Sequence, residues 1–251
     1  MLYFVGAGPG AVDLITMRGH KLLCESDVVI YAGSLVNPEL LKYTKVCYEI
    51  HNSAQMTLEE VIEVVKKAES QNEMTVRLHT GDSSIYGAIR EQIDILKSLN
   101  IGYEVVPGVS SFCGAAASLG AEYTLPNVSQ SVIITRMEGR TQVPERESIR
   151  SFAAHKATMV LFLSSGLTEK LSRELVAGGY EPETPVAVVY KATWPDEKIF
   201  KCTIETLPQT MKENNINKTA LILVGYFLGD DYKRSELYNS TFTHEFRKGI
   251  V

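Results

Sequence analysis

The sequence predicts an α/β protein of two domains, the N-terminal one built on a mainly parallel sheet and the C-terminal one on a mixed sheet. Three observations carry this. Short β-branched runs alternate with helix-spaced segments through the first half, the pattern of strand-helix-strand units. The pattern breaks over residues 123–129, where Pro126 and Asn127 precede a new apolar run. In the second half, two strand-like runs are joined by a loop too short for a crossover helix, so they pair as a hairpin and mix the sheet. The boundary falls between residues 125 and 126, giving domains 1–125 and 126–251.

In chain order, strands are expected over 2–5, Val28–Tyr31, 46–50, 75–78 and Tyr103–Val106. The clearest helix covers 57–69: Leu58, Val61, Ile62, Val65 and Ala68 recur at three- and four-residue steps, and Thr57 with Glu60 forms a capping-box pattern. Beyond the boundary, strands are expected over 131–135, 158–163, Pro185–Tyr190, Lys198–Thr203 and 220–226, with helices over 167–177 and 204–213. The hairpin loop holds Trp194-Pro195-Asp196.

Composition narrows the function classes. The 251 residues are 45% hydrophobic and 22% charged, with a net charge of −5, and no apolar run reaches the length of a membrane span. The opening MLYFV has no basic region before it and is interrupted by Gly6, Gly8 and Gly10, so no signal peptide is expected and the cytoplasm is the expected compartment. Four widely spaced cysteines without C-x-x-C, and five histidines without a pair at ligand spacing, predict no metal site. A mildly acidic chain without basic clusters also predicts no nucleic-acid partner.

Three loops carry the functional signal. GAGPGA at 6–11 satisfies G-x-G-x-x-G/A, whose glycines let a ligand approach the main chain. A dinucleotide site also needs an acid at the end of the second strand, and here that strand ends Tyr31-Ala32-Gly33-Ser34. Pro9 moreover removes an amide donor from the turn, and no Gly-Lys-Ser/Thr follows for a P-loop. The second loop is HTGDSSIYG, 79–87, and the third is VPGVSSF, 106–112. If their strands are parallel, all three loops leave the carboxyl edge where open α/β sheets bind ligands. Each loop alone also reads as a serine-capped turn. Asp82 is placed to accept hydrogen bonds from a ligand or to cap a helix. Neither the second nor the third loop holds a lysine or arginine, which favours a neutral or zwitterionic nucleoside over a phosphate.

VGAGPG, TGDSSIYG, VVPGVSS, TRMEGRT at 135–141 and YKATWPDEKI at 190–199, in this order, resemble the tetrapyrrole methylases. YAGSLV at 31–36 and SVIITRMEGRTQVPE at 131–145 resemble the branch that methylates C-11 of precorrin-4 or cobalt-precorrin-4 in cobalamin biosynthesis. The resemblance runs from Leu2 to about Gly229. It implies two α/β domains of the class III methyltransferase type, S-adenosylmethionine in the cleft between them, S-adenosylhomocysteine as product, and a homodimer. Carried over by position, the cofactor residues are Pro9, Thr80, Gly81, Asp82, Ile85, Ser110 and Ser111, with Leu163, Ala192, Thr219, Ala220 and Leu221 from the later motifs. The first glycine loop is expected along the macrocycle, with only Pro9 near the cofactor. Asp82-Ser83 stands where many members read Asp-Pro, which leaves that turn without proline's fixed φ.

Methyl transfer to carbon is an in-line displacement whose main demand is positioning. A polycarboxylate macrocycle on an acidic protein needs local cations, and Arg136, Arg140 and Lys191 are the candidates; surface ion pairs are the plainer reading. Glu138, between the arginines, either orients them or acts as a base. Trp194 is either core or a macrocycle platform. The competing readings are another family member, such as a uroporphyrinogen III or precorrin-2 methyltransferase, an NAD-binding dehydrogenase, and a noncatalytic macrocycle carrier.

Overall fold

The computed structural model describes residues 1–33, 35–44, 47 and 49–250. They fall into two compact units, Met1–Ala115 with Lys191–Glu197, and Ala116–Tyr190 with the residues from Lys198 onward.

The first unit is a five-stranded sheet of β1 (Leu2–Gly6), β2 (Val28–Tyr31), β3 (Glu49–Asn52), β4 (Thr75–His79) and β5 (Tyr103–Val106), in the order β3-β2-β4-β1-β5. Every described pairing is parallel. Side chains alternate across it as the pleat requires. Leu2, Phe4 and Ile30 face Val61, Ile62 and Val65 of α2 (Leu58–Ser70) and Leu96 of α3 (Ile89–Ser98). Val5, Val29, Val76 and Leu78 share the other face with Leu23 of α1 (Met17–Glu25). Both faces are covered at β1 and β2, which is why those strands read as continuous apolar runs. The expected capping box is present: the Thr57 hydroxyl accepts from the Glu60 amide, and the Glu60 carboxylate accepts from the Thr57 amide. The strand expected over 46–50 is found at Glu49–Asn52; Val46, and Ser34 of the earlier YAGSLV motif, lie outside the described residues.

The second unit is a sheet in the order β6-β7-β10-β8-β9, formed by β6 (Val132–Arg136), β7 (Thr158–Phe162), β8 (Pro185–Tyr190), β9 (Lys198–Thr203) and β10 (Ala220–Val224). β6 and β7 are parallel and the other pairs antiparallel, so the sheet is mixed as expected. The hairpin closes in register from Pro185 opposite Thr203 to Tyr190 opposite Lys198. Met159, Leu161, Val186, Val188, Ile222 and Val224 form one buried face. Ile149 and Ala153 of α5 (Ile149–Ala153), Leu171 and Leu175 of α6 (Thr168–Ala177) and Leu207 and Met211 of α7 (Leu207–Glu213) complete that core. Among the described residues no helix is long and apolar enough to cross a membrane.

Candidate functional site

In the first unit β4, β1 and β5 are adjacent and parallel, so the loops that follow them leave one edge of the sheet. They are also locked together through backbone. The Ala7 amide donates to the His79 carbonyl at 2.7 Å, Gly81 N to Gly8 O at 2.8 Å and Gly8 N to Gly81 O at 3.3 Å. A Cβ on Gly6 would lie 2.5 Å from Gly108 Cα, and one on Gly108 would lie 2.2 Å from Gly81 O. One glycine from each loop therefore meets the others at a separation no side chain permits. Gly8 has φ +80°, and a Cβ there would meet the Leu14 carbonyl at 2.8 Å. The bareness of these glycines is matched by protein neighbours inside this unit.

Asp82 ties the second loop to the third. Its Oδ2 accepts from the Gly108 amide at 2.7 Å, and its Oδ1 from the Ser84 amide at 2.8 Å and from the Ser84 hydroxyl. Burial pushes its pKa up, but the hydrogen bonds from Ser84 and Gly108 outweigh that and hold it below its ordinary value. No helix starts at Asp82; the next begins at Ile89. Around this tie, the Thr80 hydroxyl donates to Leu35 O at 3.1 Å, Ile85 is half-buried, and Ser110 and Ser111 stand at the head of α4 (Ser111–Leu119) with Ser110 buried. His79 and Arg77 of β4 lie buried beneath the loops, and the His79 Nε2 has no hydrogen-bond partner among the described residues. Burial, assisted by the Arg77 charge, depresses the His79 pKa to about 3, and burial lowers that of Arg77 to about 10.

Lys191 and Ala192 belong to this unit. Ala192 is buried, and Lys191 Nζ lies 2.6 Å from Asp196 Oδ2 and 5.2 Å from the centre of the Trp194 ring. A shallow groove of about 980 Å³ elsewhere in the unit, lined by Tyr3, Ile15, Arg18, His20 and Tyr43 among others, includes none of the expected site residues.

In the second unit the register brings the remaining candidates to one end of the sheet. Arg136 pairs with Phe162, and Ala220 pairs with Tyr190; continuing the β7–β10 register sets Leu163 level with Ala220. Two buried serines hold this end: Ser164 accepts from the Met137 amide at 2.8 Å and donates to Phe162 O at 2.7 Å, and Ser165 donates to Ala220 O at 3.0 Å. Arg136 donates to Gln142 O at 2.8 Å, Thr141 O at 3.3 Å and Met137 O at 3.4 Å, drawing the loop after β6 around its guanidinium. Glu138 and Arg140 are exposed on that loop. Ala220 and Leu221 begin β10 and are buried, and Thr219 directly precedes the strand.

Backbone strain falls on some of the same positions, as it does elsewhere in the chain. Leu163 (φ +50°), Lys191 (φ +49°), Thr193 (φ +67°) and Thr219 (φ +57°) all adopt left-handed φ. For a β-branched residue this is an outlier, and such strain concentrates at functional sites. Leu163 is also 64% exposed, a large apolar side chain held in the open by a costly backbone. The sequence reading missed Ser164 and Ser165, which tie to the Met137 amide and the Ala220 carbonyl far away in the chain, and Gly108, although VPG marked its turn.

A family profile described as tetrapyrrole (corrin/porphyrin) methylases matches residues 1–208. The chain belongs to that family. Among curated relatives, the cobalt-precorrin-4 C(11)-methyltransferase of Methanocaldococcus jannaschii is 55% identical over 245 residues, covering 97% of this chain and 95% of the relative. Among solved structures, a cobalt precorrin-4 methyltransferase described as a cobalamin biosynthetic enzyme superposes with a TM-score of 0.89 at 49% identity, covering 91% of this chain and 96% of the other. A uroporphyrin-III C-methyltransferase from Thermus thermophilus, complexed with S-adenyl homocysteine, gives a TM-score of 0.76 at 25% identity over 90% and 92% of the two chains. The parallel and mixed sheets described above are thus the two α/β domains of a tetrapyrrole methylase.

Proposed function

We propose that this tetrapyrrole methylase transfers the methyl group of S-adenosylmethionine to C-11 of precorrin-4 or its cobalt complex, in cobalamin biosynthesis. The observation that carries the reading is the identity to the Methanocaldococcus enzyme along nearly the whole of both chains.

The residues present fit a sulfonium nucleoside. The second and third loops offer main-chain groups and hydroxyls without a lysine or arginine, which suits a ligand lacking phosphate. In the first unit Pro9, Thr80, Gly81, Ile85, Ser110, Ser111 and Ala192 are assigned to the cofactor, with Asp82 setting the arrangement of the loops. In the second unit Leu163, Thr219, Ala220 and Leu221 are assigned to it, the exposed Leu163 offering an apolar face to the base. When bound, the sulfonium supplies an electrophilic methyl group and keeps the electron pair of the broken bond. The chain's own contribution is orientation and exclusion of water. Arg136, Arg140 and Lys191 are assigned to the substrate's carboxylates. Arg140 is the most accessible of the three, while the other two also shape their own loops. Glu138 is assigned to orienting Arg140 or accepting a proton. The proposal includes a homodimer acting in the cytoplasm, which light scattering and cell fractionation test.

Calorimetry with S-adenosylmethionine, S-adenosylhomocysteine and NAD separates the leading classes. The expected result is micromolar binding of the first two and none of NAD; NAD binding with no affinity for the sulfonium overturns the assignment. Arg140→Ala is expected to raise KM for the tetrapyrrole at least threefold while leaving S-adenosylhomocysteine affinity within twofold.

A further inference from the structure

We infer that the turn Lys191–Glu197 is a clamp that fixes the first glycine loop, with Trp194 and Thr193 as its positioning residues. This deepens the proposed function and rests on it, since Pro9 of that loop is assigned to the cofactor.

Gly8 and Gly10, on either side of Pro9, give the loop little stiffness of its own. Its position is imposed by neighbours. The Trp194 indole N–H donates to the Pro9 carbonyl at 3.2 Å, and the Thr193 hydroxyl accepts from the Ala11 amide at 3.0 Å. Between those two bonds lies Gly10, where a Cβ would stand 2.1 Å from Trp194 Cδ1 and 2.8 Å from Ala192 O. The indole therefore occupies the space a side chain at residue 10 would fill. Asn37 Nδ2 also donates to Gly10 O at 2.9 Å. A Cβ on Gly114 would meet Pro9 Cβ at 2.9 Å and Thr193 Cγ2 at 3.1 Å, so α4 closes against both members of the contact.

The clamp is closed by bonds of its own. Trp194 N donates to Lys191 O at 3.0 Å, Glu197 N to Trp194 O at 3.0 Å, and Thr193 N to Glu197 Oε2 at 2.5 Å. Lys191 spans the turn to Asp196 and lies over the indole face, a cation–π placement that holds the ring down. Lys191 and Thr193 hold left-handed φ within the turn, and its hydroxyl and indole reach Ala11 and Pro9, the residues on either side of Gly10. A turn tied this tightly and strained at two non-glycine positions is organised to hold something in place. What it holds is residues 9–11.

The test compares wild type, Trp194→Ala, Trp194→Phe and Gly10→Ala by calorimetry with S-adenosylhomocysteine and by steady-state kinetics. Trp194→Ala is expected to weaken S-adenosylhomocysteine at least tenfold and to raise KM for S-adenosylmethionine by a similar factor, with kcat reduced less. Trp194→Phe, which keeps the ring but not the N–H, is expected to recover part of the affinity. Gly10→Ala is expected to reproduce the loss, since its Cβ collides with the indole. Wild type that binds normally, together with a folded Trp194→Ala of unchanged affinity, overturns the clamp alone. Wild type that fails to bind S-adenosylhomocysteine overturns the cofactor reading as well. Should Trp194→Ala not fold, Trp194→Phe decides: a loss of threefold or more at unchanged Tm supports the clamp, and full affinity overturns it.

Discussion

Replacing Asp82 with asparagine removes one oxygen of the carboxylate that joins the second and third loops. The remaining carbonyl can still accept from Ser84, whose amide and hydroxyl both address Oδ1. The new NH2 group then faces the Gly108 amide, which now donates to Oδ2 at 2.7 Å, so two donors oppose each other. A hydrogen bond to a charged acceptor contributes about 1.5–3 kcal/mol, and the lower end applies because this carboxylate is partly open to water. If the loss falls on the liganded arrangement of the loops, about 1.5 kcal/mol corresponds to roughly tenfold weaker S-adenosylhomocysteine binding. Alanine, which also frees Ser84, is expected to be worse than asparagine. Ser84→Ala, which leaves the Ser84 amide in place, is expected to change affinity less than threefold. Because the folded-state pKa of Asp82 is depressed, its ties are fully present above the ordinary carboxylate range and are lost only as pH falls through the folded value. The difference between wild type and Asp82→Asn should therefore be constant from pH 6 to pH 8. Calorimetry across that range is the assay, and an Asp82→Asn protein with wild-type affinity would refute the reasoning.

Two further outcomes follow from the same unit. His79 is neutral in the fold with a pKa of about 3, whereas the unfolded chain takes up its proton below about 6.5. Its contribution is present above the unfolded value and is lost as pH falls towards the folded one, so wild type should lose about 2 kcal/mol between pH 7 and pH 5 from this group. His79→Leu should remove that dependence in denaturant titrations, and an unchanged pH profile in the variant contradicts the assignment. Gly108→Ala places a Cβ 2.2 Å from the Gly81 carbonyl and 2.7 Å from Gly6 Cα, both backbone. Overpacking of this kind costs about 1–3 kcal/mol, so lower Tm and weaker S-adenosylhomocysteine binding are expected together; wild-type values for both would show that the loops do not interlock.

Much of the fold was legible because its determinants are local. Val28–Tyr31, Tyr103–Val106, Pro185–Tyr190 and Lys198–Thr203 are β-branched or apolar runs bounded by polar and turn-forming residues, and each is a strand over those residues. The strand expected over 158–163 stops at Phe162 because Leu163 turns to left-handed φ, a conformation no leucine announces. That expected over 220–226 stops at Val224, before Gly225 with φ +142°.

The convergence of the three loops was also readable, since it follows from parallel strand order. What holds them was not. Gly6, Gly81 and Gly108 meet through backbone contacts between segments far apart in sequence, and Asp82 finds its partner 26 residues away. A glycine signals that space is needed without saying what fills it. Here the space beside Gly6 is filled by another loop and that beside Gly10 by Trp194. Trp194 itself, read as either core or platform, is half-buried against the first loop through its N–H. Arg136 and Lys191 were selected for their charge and for lying in or beside the later motifs, and their reach to loop carbonyls and to Asp196 depends on turn geometry that residue type does not encode.

The measurement that bears most directly on the central claim is the fate of a carbon-13 methyl group. The protein is incubated with S-adenosylmethionine labelled at that methyl and with precorrin-4, with and without cobalt, and the product is read by mass spectrometry and carbon-13 NMR. One label per macrocycle, attached at C-11, is the predicted result. A label at any other ring carbon, or an unmethylated macrocycle recovered from protein that binds both ligands, contradicts it.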